Sequence, residues 1–191
     1  MKDKFLFFVC ILIFSYVKSN SQVQTIVFEN ITNTFKVSED INYAIGKEFP
    51  VFKAVSLNNE TISSDNLSGK VTMVNFWFDG CAPCIIELDA LINVYNKYKN
   101  DVSFQFLSFT IDDVEVAQKA VNKYNIPYTV YPISREEAYR MNFNCGFPTN
   151  IIINVEGRID YFKTGGSIDT ERSEKDIAQM DTVISRMLPQ K

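Results

Sequence analysis

The 191-residue sequence contains no histidine, so the chain has none of the imidazole ligands that most zinc sites use. It also has no excess of positive charge: 19 lysines and arginines face 23 aspartates and glutamates, and the formal net charge is −4. We therefore expect no nucleic-acid partner. No segment is repeated or low in complexity, and the 46% hydrophobic content is enough for one domain with a single core.

A long hydrophobic run is missing as well. The apolar stretch from Phe5 to Val17 has 13 residues, fewer than the roughly 20 that a bilayer-spanning helix needs. It follows a lysine-bearing start and precedes small residues, Ser19 and Ser21, at a possible cleavage site. We interpret residues 1–21 as a signal peptide and expect a periplasmic or secreted protein. The alternative is an uncleaved N-terminal anchor, the one case in which the chain would be attached to a membrane.

The cysteine count is odd once this segment is removed. Cys10 would leave with the signal peptide, and the net charge would become −6 because three lysines and one aspartate leave with it. The remaining cysteines are Cys81, Cys84 and Cys145. A set of purely structural disulfides outside the cytosol would be even, so the odd number favours a cysteine with another role.

The pattern after residue 45 alternates between strands and helices. Residues 22–45 alternate only weakly and form an N-terminal extension that could add an edge strand. The expected strands are 52–57, a short one before Gly69, 71–78, 102–111, 128–133 and a hairpin around 154–157; the expected helices are 81–99, one beginning at 112–113, 134–142 and 173–188. This order predicts an α/β domain over residues 46–191, with a mixed central sheet flanked by helices.

The motif "CAPC", residues 81–84, directly follows the apolar strand "VTMVNFWF" and opens the next predicted helix. Unpaired N–H groups at a helix N-terminus stabilise a thiolate, which predicts Cys81 as the attacking nucleophile. Cys84, about one turn later, can reach back and resolve a mixed disulfide. Pro83 is tolerated in the first turn because no N–H partner is lost there.

Glu87 is the candidate proton acceptor for Cys84, since it lies three residues further on the same helical face. From spacing alone, an ordinary solvent-exposed helix glutamate is an equal alternative. A metal site is disfavoured because Cys145 raises the number of cysteine ligands only to three. We expect neither a metal nor a cofactor.

Several stretches together resemble the TlpA/ResA-like thiol-disulfide oxidoreductases, extracytoplasmic members of the thioredoxin superfamily. They are "VNFWFDGCAPCIIEL", "GKEFPVF", "LSGKV" and "CGFPTNIIINVEGRI", and the likeness covers about residues 46–190. The resemblance implies a thioredoxin-like sandwich. It also implies a cis peptide bond before Pro148, facing the cysteine pair, with the backbone at Phe147 open to pairing with a substrate chain.

The resemblance also pairs Asn75 with Glu87. It therefore favours Glu87 as the proton acceptor over the alternative of an ordinary solvent-exposed glutamate. Three departures from the family pattern bear on the site. Gly80 replaces a frequent tryptophan, which should expose more of Cys81 to substrates, and Asp79 adds a negative charge that opposes thiolate formation. Leu88 replaces the usual proline, which makes the family's helix kink doubtful here.

The sequence therefore predicts an enzyme that exchanges a Cys81–Cys84 disulfide with partner proteins. Reduction of the partner is the expected direction, and an upstream thiol donor would reduce the enzyme again. The absence of a histidine between the cysteines removes one feature that makes such pairs oxidising. One alternative is a binding module in which the cysteine pair is a structural disulfide. A thiol peroxidase is disfavoured because Phe78 occupies the place where such enzymes have threonine or serine.

Overall fold

The computed structural model describes residues 43–189. The proposed signal peptide and almost all of the N-terminal extension lie outside the described residues. The strands are β1 (Lys53–Val55), β2 (Thr61–Ser63), β3 (Val71–Trp77), β4 (Phe104–Thr110), β5 (Val130–Pro132), β6 (Thr149–Ile153) and β7 (Ile159–Thr164). The α-helices are α1 (Ala82–Ile86), α2 (Leu88–Tyr98), α3 (Val114–Lys123), α4 (Arg135–Met141) and α5 (Thr170–Met187).

Five strands form one mixed sheet in the order β5-β4-β3-β6-β7, and β1 and β2 form a separate hairpin. β3 pairs in parallel with β4 and antiparallel with β6, so it occupies the centre of the sheet. All seven residues of β3 are buried, as its nearly continuous apolar sequence predicts for a strand covered on both faces. The carboxyl end of this central strand leads directly to the cysteine pair.

Each face of the sheet carries its own hydrophobic core. One face packs against α1, α2 and α5 through residues such as Met73, Leu91 and Ile184. The opposite face packs against the β1 region and α4 through residues such as Phe76 and Met141. This two-sided arrangement confirms the mixed α/β sandwich predicted from the sequence.

The predicted helix over 81–99 is interrupted. Glu87 ends α1 and begins α2, with φ −82° and ψ −9°. The family's helix kink, which the absence of a proline after Glu87 made doubtful, is therefore present as a break at Glu87. The backbone N–H of Glu87 makes only a long bond of 3.4 Å to the Pro83 carbonyl, so the hydrogen-bond ladder weakens where the glutamate side chain turns into the core.

The helix starts follow the capping chemistry of the sequence. Asp113 and Ser134 accept backbone N–H bonds at the starts of α3 and α4, as predicted. Asp169 does the same for α5, which begins three residues earlier than expected. Within residues 43–189, no helix is long and apolar enough to span a bilayer.

Candidate active site

Cys81 and Cys84 form a disulfide at the start of α1, with their Cα atoms 5.2 Å apart. Cys81 is the N-cap residue and Cys84 lies in the first turn. α1 has only five residues, but the stabilisation of a thiolate by helix N–H groups falls off within one turn, so the short helix loses little of it. Both sulfurs therefore lie where the sequence placed them.

Exposure distinguishes the two cysteines only slightly, because Cys81 is 6% exposed and Cys84 is 1% exposed. We had expected Gly80 to leave Cys81 more open. The ring of Phe78 fills the space beside Gly80, where an added Cβ would lie 3.3 Å from a ring carbon. Phe78 in turn meets Phe147 edge to face, with ring centroids 5.4 Å apart. These two rings belong to the shell around the core cluster that contains Cys81.

The negative charge of Asp79 is offset in the structure. Its carboxylate lies 3.4 Å from the ammonium group of Lys123. Its backbone N–H donates to Asp112 at 2.8 Å, which fixes the turn between β3 and the cysteine pair. The opposition of Asp79 to a Cys81 thiolate is therefore weaker than the sequence indicated.

The Phe147–Pro148 peptide bond is cis, as the resemblance implied. Pro148 is buried and begins the approach to β6, while Phe147 is partly exposed. The carbonyl of Pro148 accepts a 2.8 Å bond from the backbone N–H of Gly165. This bond ties the cis-proline loop to the loop that connects β7 with α5.

Gly166 in that second loop is a site residue that the sequence indicated only as a chain break. A Cβ added to Gly166 would lie 2.9 Å from Cγ of Pro148 and 3.0 Å from Cβ of Pro83. The three residues are therefore in close contact, and Pro83 is the neighbour of both cysteines in sequence. Only glycine fits between the two proline rings.

Glu87 is buried, with 4% of its surface exposed, so the alternative of a solvent-exposed helix glutamate is wrong. Its Oε1 accepts hydrogen bonds from Nδ2 of Asn75 at 3.3 Å and from Nδ2 of Asn150 at 3.0 Å. Nδ2 of Asn75 also donates to Oδ1 of Asn150 at 2.9 Å. The sequence pointed to Asn75 through the family resemblance, but Asn150 was missed because it lies on β6 in a run of apolar residues.

Burial raises the pKa of Glu87 to about 7, against the effect of the amide bond from Asn150, the positive charge of Lys163 and the bond from Asn75. A carboxyl group with this pKa exchanges protons near neutral pH, which suits a general base or acid. Asn75 and Asn150 stabilise its ionised form, and the apolar surroundings stabilise its neutral form. The site thus combines a disulfide, a cis-proline and a titratable buried carboxyl.

Cys145 is a buried free thiol, with 3% of its surface exposed. Burial raises its pKa, so it carries less thiolate than an ordinary cysteine. Within residues 43–189, no group of three or more histidine, cysteine, aspartate or glutamate side chains is placed to hold a metal ion.

The fold and this site define a thioredoxin-like protein with a Cys-X-X-Cys pair. The sequence pattern of the Redoxin family matches residues 44–184, and the chain belongs to that family. The TlpA/ResA-like resemblance is thereby confirmed at the level of the thioredoxin superfamily.

Known relatives agree with this placement. The thiol-disulfide oxidoreductase ResA of Bacillus thuringiensis (strain Al Hakam) is 30% identical over 117 residues, which cover 60% of this chain and 66% of ResA. The chain thus spans a little under two thirds of that relative. A putative protein disulfide isomerase from Bacteroides thetaiotaomicron superposes with a TM-score of 0.67 at 20% identity, covering 75% of this chain and 89% of the other. A putative thioredoxin from Neisseria meningitidis superposes with a TM-score of 0.60 at 29% identity, covering 74% of this chain and 91% of the other.

Proposed function

We propose that the protein is an extracytoplasmic thiol-disulfide oxidoreductase that reduces disulfides in partner proteins. The observation that carries the proposal is the Cys81–Cys84 disulfide at a helix start, with the buried Glu87 three residues beyond Cys84. The name of the ResA relative supports the same chemistry. The apolar segment with a lysine-bearing start at residues 1–21 supports export.

In the proposed cycle the Cys81 thiolate attacks one sulfur of a partner disulfide, which breaks that bond and releases the first partner thiolate. Glu87 takes the proton of Cys84, and the Cys84 thiolate attacks Sγ of Cys81. The mixed disulfide breaks, the second partner thiolate leaves, and the Cys81–Cys84 disulfide forms. Two electrons pass from the protein to the partner, and the released thiolates take up protons. An upstream thiol donor then reduces the disulfide again.

Pro148 and Phe147 are the proposed substrate platform, together with Gly80. The backbone at Phe147, which directly precedes the cis peptide bond, is the proposed pairing edge for an extended partner segment. Gly80 is exposed and directly precedes Cys81, with the ring of Phe78 beside it. The partly exposed rings of Phe78 and Phe147 give this approach an apolar wall.

Trapping of a mixed disulfide tests the proposal. Cys84→Ala removes the resolving thiol, so we expect the reduced form of this variant to accumulate a mixed disulfide with a substrate whose disulfides are intact, such as insulin, detectable on non-reducing gels. Cys81→Ser should trap nothing. Cys145→Ala is the matched control because it removes the remaining described cysteine, which is buried, and it should leave the turnover of insulin unchanged. Equal trapping by Cys81→Ser and Cys84→Ala would refute the roles assigned to the pair.

The low exposure of both cysteines favours one second candidate, a binding module with a structural disulfide. In that case reduction would destabilise the fold, and no variant would trap a partner. The direction of exchange is tested by equilibration with glutathione buffers, since a potential near the strongly oxidising −120 mV end of the family range would contradict a reductase. Export is tested by N-terminal sequencing of the expressed protein, which should begin after residue 21.

A further inference from the structure

A row of polar side chains crosses the face of the sheet that carries Glu87. Asn75 on β3 lies directly opposite Asn150 on β6, and Asn150 lies directly opposite Lys163 on β7. Directly paired residues of antiparallel strands point to the same face, so all three side chains lie on one side of the sheet. The row therefore begins at the buried Asn75 and ends at a lysine near the edge.

The outer end of the row is a partly buried ion pair. Nζ of Lys163 lies 2.9 Å from Oδ2 of Asp176 on α5, and the two side chains are 27% and 21% exposed. This pair is less exposed than the other described ion pairs, for example Lys97 with Asp181 at 52% and 31%. Charges that are largely withdrawn from water are screened less, so they act on a neighbouring buried carboxyl more strongly than surface charges do.

Each member of the row affects Glu87 in a definite direction. The amide bond from Asn150 and the positive charge of Lys163 lower the pKa of Glu87, whereas the negative charge of Asp176 raises it. Tyr128, which precedes β5, also interacts with Glu87, and its pKa is raised by burial and by the charge of Glu87. Tyr128 is neutral at physiological pH, so among these three groups Lys163 and Asp176 carry the charges that act on Glu87 there.

We propose that Asn150 and the Lys163–Asp176 ion pair are positioning residues for Glu87: Asn150 holds the buried carboxyl by a hydrogen bond, and the ion pair supplies the charges beside Asn150 on the same face of the sheet. Asn150 holds Oε1 of Glu87 by a bond that is shorter than the one from Asn75. Lys163 supplies a positive charge on β7, the strand next to the one that carries Asn150. The negative charge of Asp176 partly cancels the effect of Lys163 on Glu87. The inference rests on the proposed function only for its catalytic consequence, the removal of the Cys84 proton.

The two members of one ion pair should shift Glu87 in opposite directions, which gives a sharp test. The probe is the full chain in its disulfide form, labelled with ¹³C at the glutamate carboxyls and titrated by NMR, with the Glu87 signal assigned by its loss in Glu87→Gln. Lys163→Met should move the midpoint up, and Asp176→Asn should move it down. Asn150→Leu should move it up, since a donor to the ionised form is lost.

Lys97→Met is the matched control because Lys97 pairs with another aspartate of α5, Asp181, at 2.7 Å. It should leave the Glu87 midpoint unchanged. An unchanged midpoint in Lys163→Met would overturn the proposal, as would equal shifts in Lys163→Met and Lys97→Met. If Asn150→Leu does not fold, Lys163→Met and Asp176→Asn still decide, since both side chains reach the surface.

The pH profile of insulin reduction separates this inference from the proposed function. If the NMR midpoints shift as expected and the profile follows them, both hold. If the midpoints shift and the profile does not, Glu87 is not the base for Cys84, but the row still controls its ionisation. If the midpoints do not move, the row has no such role, whatever the activity of the protein.

Discussion

Burial of the Glu87 carboxylate destabilises the folded protein by an amount that depends on pH. Its pKa is about 7 in the folded chain, against the 4.5 of an unperturbed group. Between these two values the folded state binds a proton that the unfolded state has already lost, so stability falls as the pH rises through this window. A difference of this size corresponds to about 3 kcal/mol, present below pH 4.5 and lost above pH 7.

Glu87→Gln should remove this pH dependence. The glutamine oxygen can still accept the bonds from Asn75 and Asn150, but no buried negative charge develops at high pH. We expect the free energy of unfolding of the oxidised variant, measured by urea denaturation at pH 5 to 8, to fall less than that of the wild type. Glu136→Gln, which changes an exposed glutamate of α4, should keep the wild-type slope. A variant curve parallel to the wild type would show that Glu87 does not titrate in this range.

The loop between β7 and α5 shapes the site as much as the cysteine helix does. Gly166 lies between Pro83 and Pro148, so a methyl group there must displace one of two rigid rings. Gly166→Ala should therefore lower the urea midpoint by the equivalent of about 1–3 kcal/mol, the usual cost of overpacking, and also slow insulin reduction. Gly146→Ala is the control, since an added Cβ there meets nothing within 4 Å. A neutral Gly166→Ala would mean that the loop moves aside freely.

Local patterns in the sequence predict the elements well and their interruptions badly. The uniformly apolar β3 and the N-caps Asp113 and Ser134 follow from hydrophobic pattern and capping chemistry, which depend on nearby residues. The break at Glu87 does not, because that side chain is buried against two amides, Asn75 of β3 and Asn150 of β6, and the second lies 63 residues away. Helix α5 begins at Asp169, an N-cap that the apolar stripe alone did not reveal.

The candidate site follows the same division. Cys81, Cys84 and Glu87 are close in sequence, so their spacing alone predicts their proximity. Pro148 was placed at the site only by the family resemblance. Asn150 and Gly166 lie more than 60 positions along the chain from Glu87 and Pro83, which they contact, and the residues next to them give no signal of these contacts. Contacts of this range arise from strand order, which a single sequence does not specify.

At the scale of the whole molecule, the site lies at the junction of both cores. Phe147 packs against the cluster on the α1, α2 and α5 face and also against the cluster on the α4 face. It further contacts Tyr139 of α4 at 5.8 Å and Phe78 after β3 at 5.4 Å between ring centroids. The cysteine pair therefore lies close to side chains that pack on both sides of the sheet. We expect oxidation or reduction of Cys81 to change the stability of the entire domain.

A protein that reduces its partners should be more stable in its disulfide form than in its dithiol form. The same difference in folding free energy between the two forms drives electron transfer from the dithiol to the partner. The chain has no histidine that could stabilise a Cys81 thiolate in the dithiol form. Closing so short a loop contributes about 2 kcal/mol. The oxidised chain should thus melt roughly 4–8 °C above the reduced chain in scanning calorimetry. Cys84→Ser, which cannot form the disulfide, should melt at one temperature with or without dithiothreitol. A higher melting temperature for the reduced wild type would instead mark the protein as an oxidant.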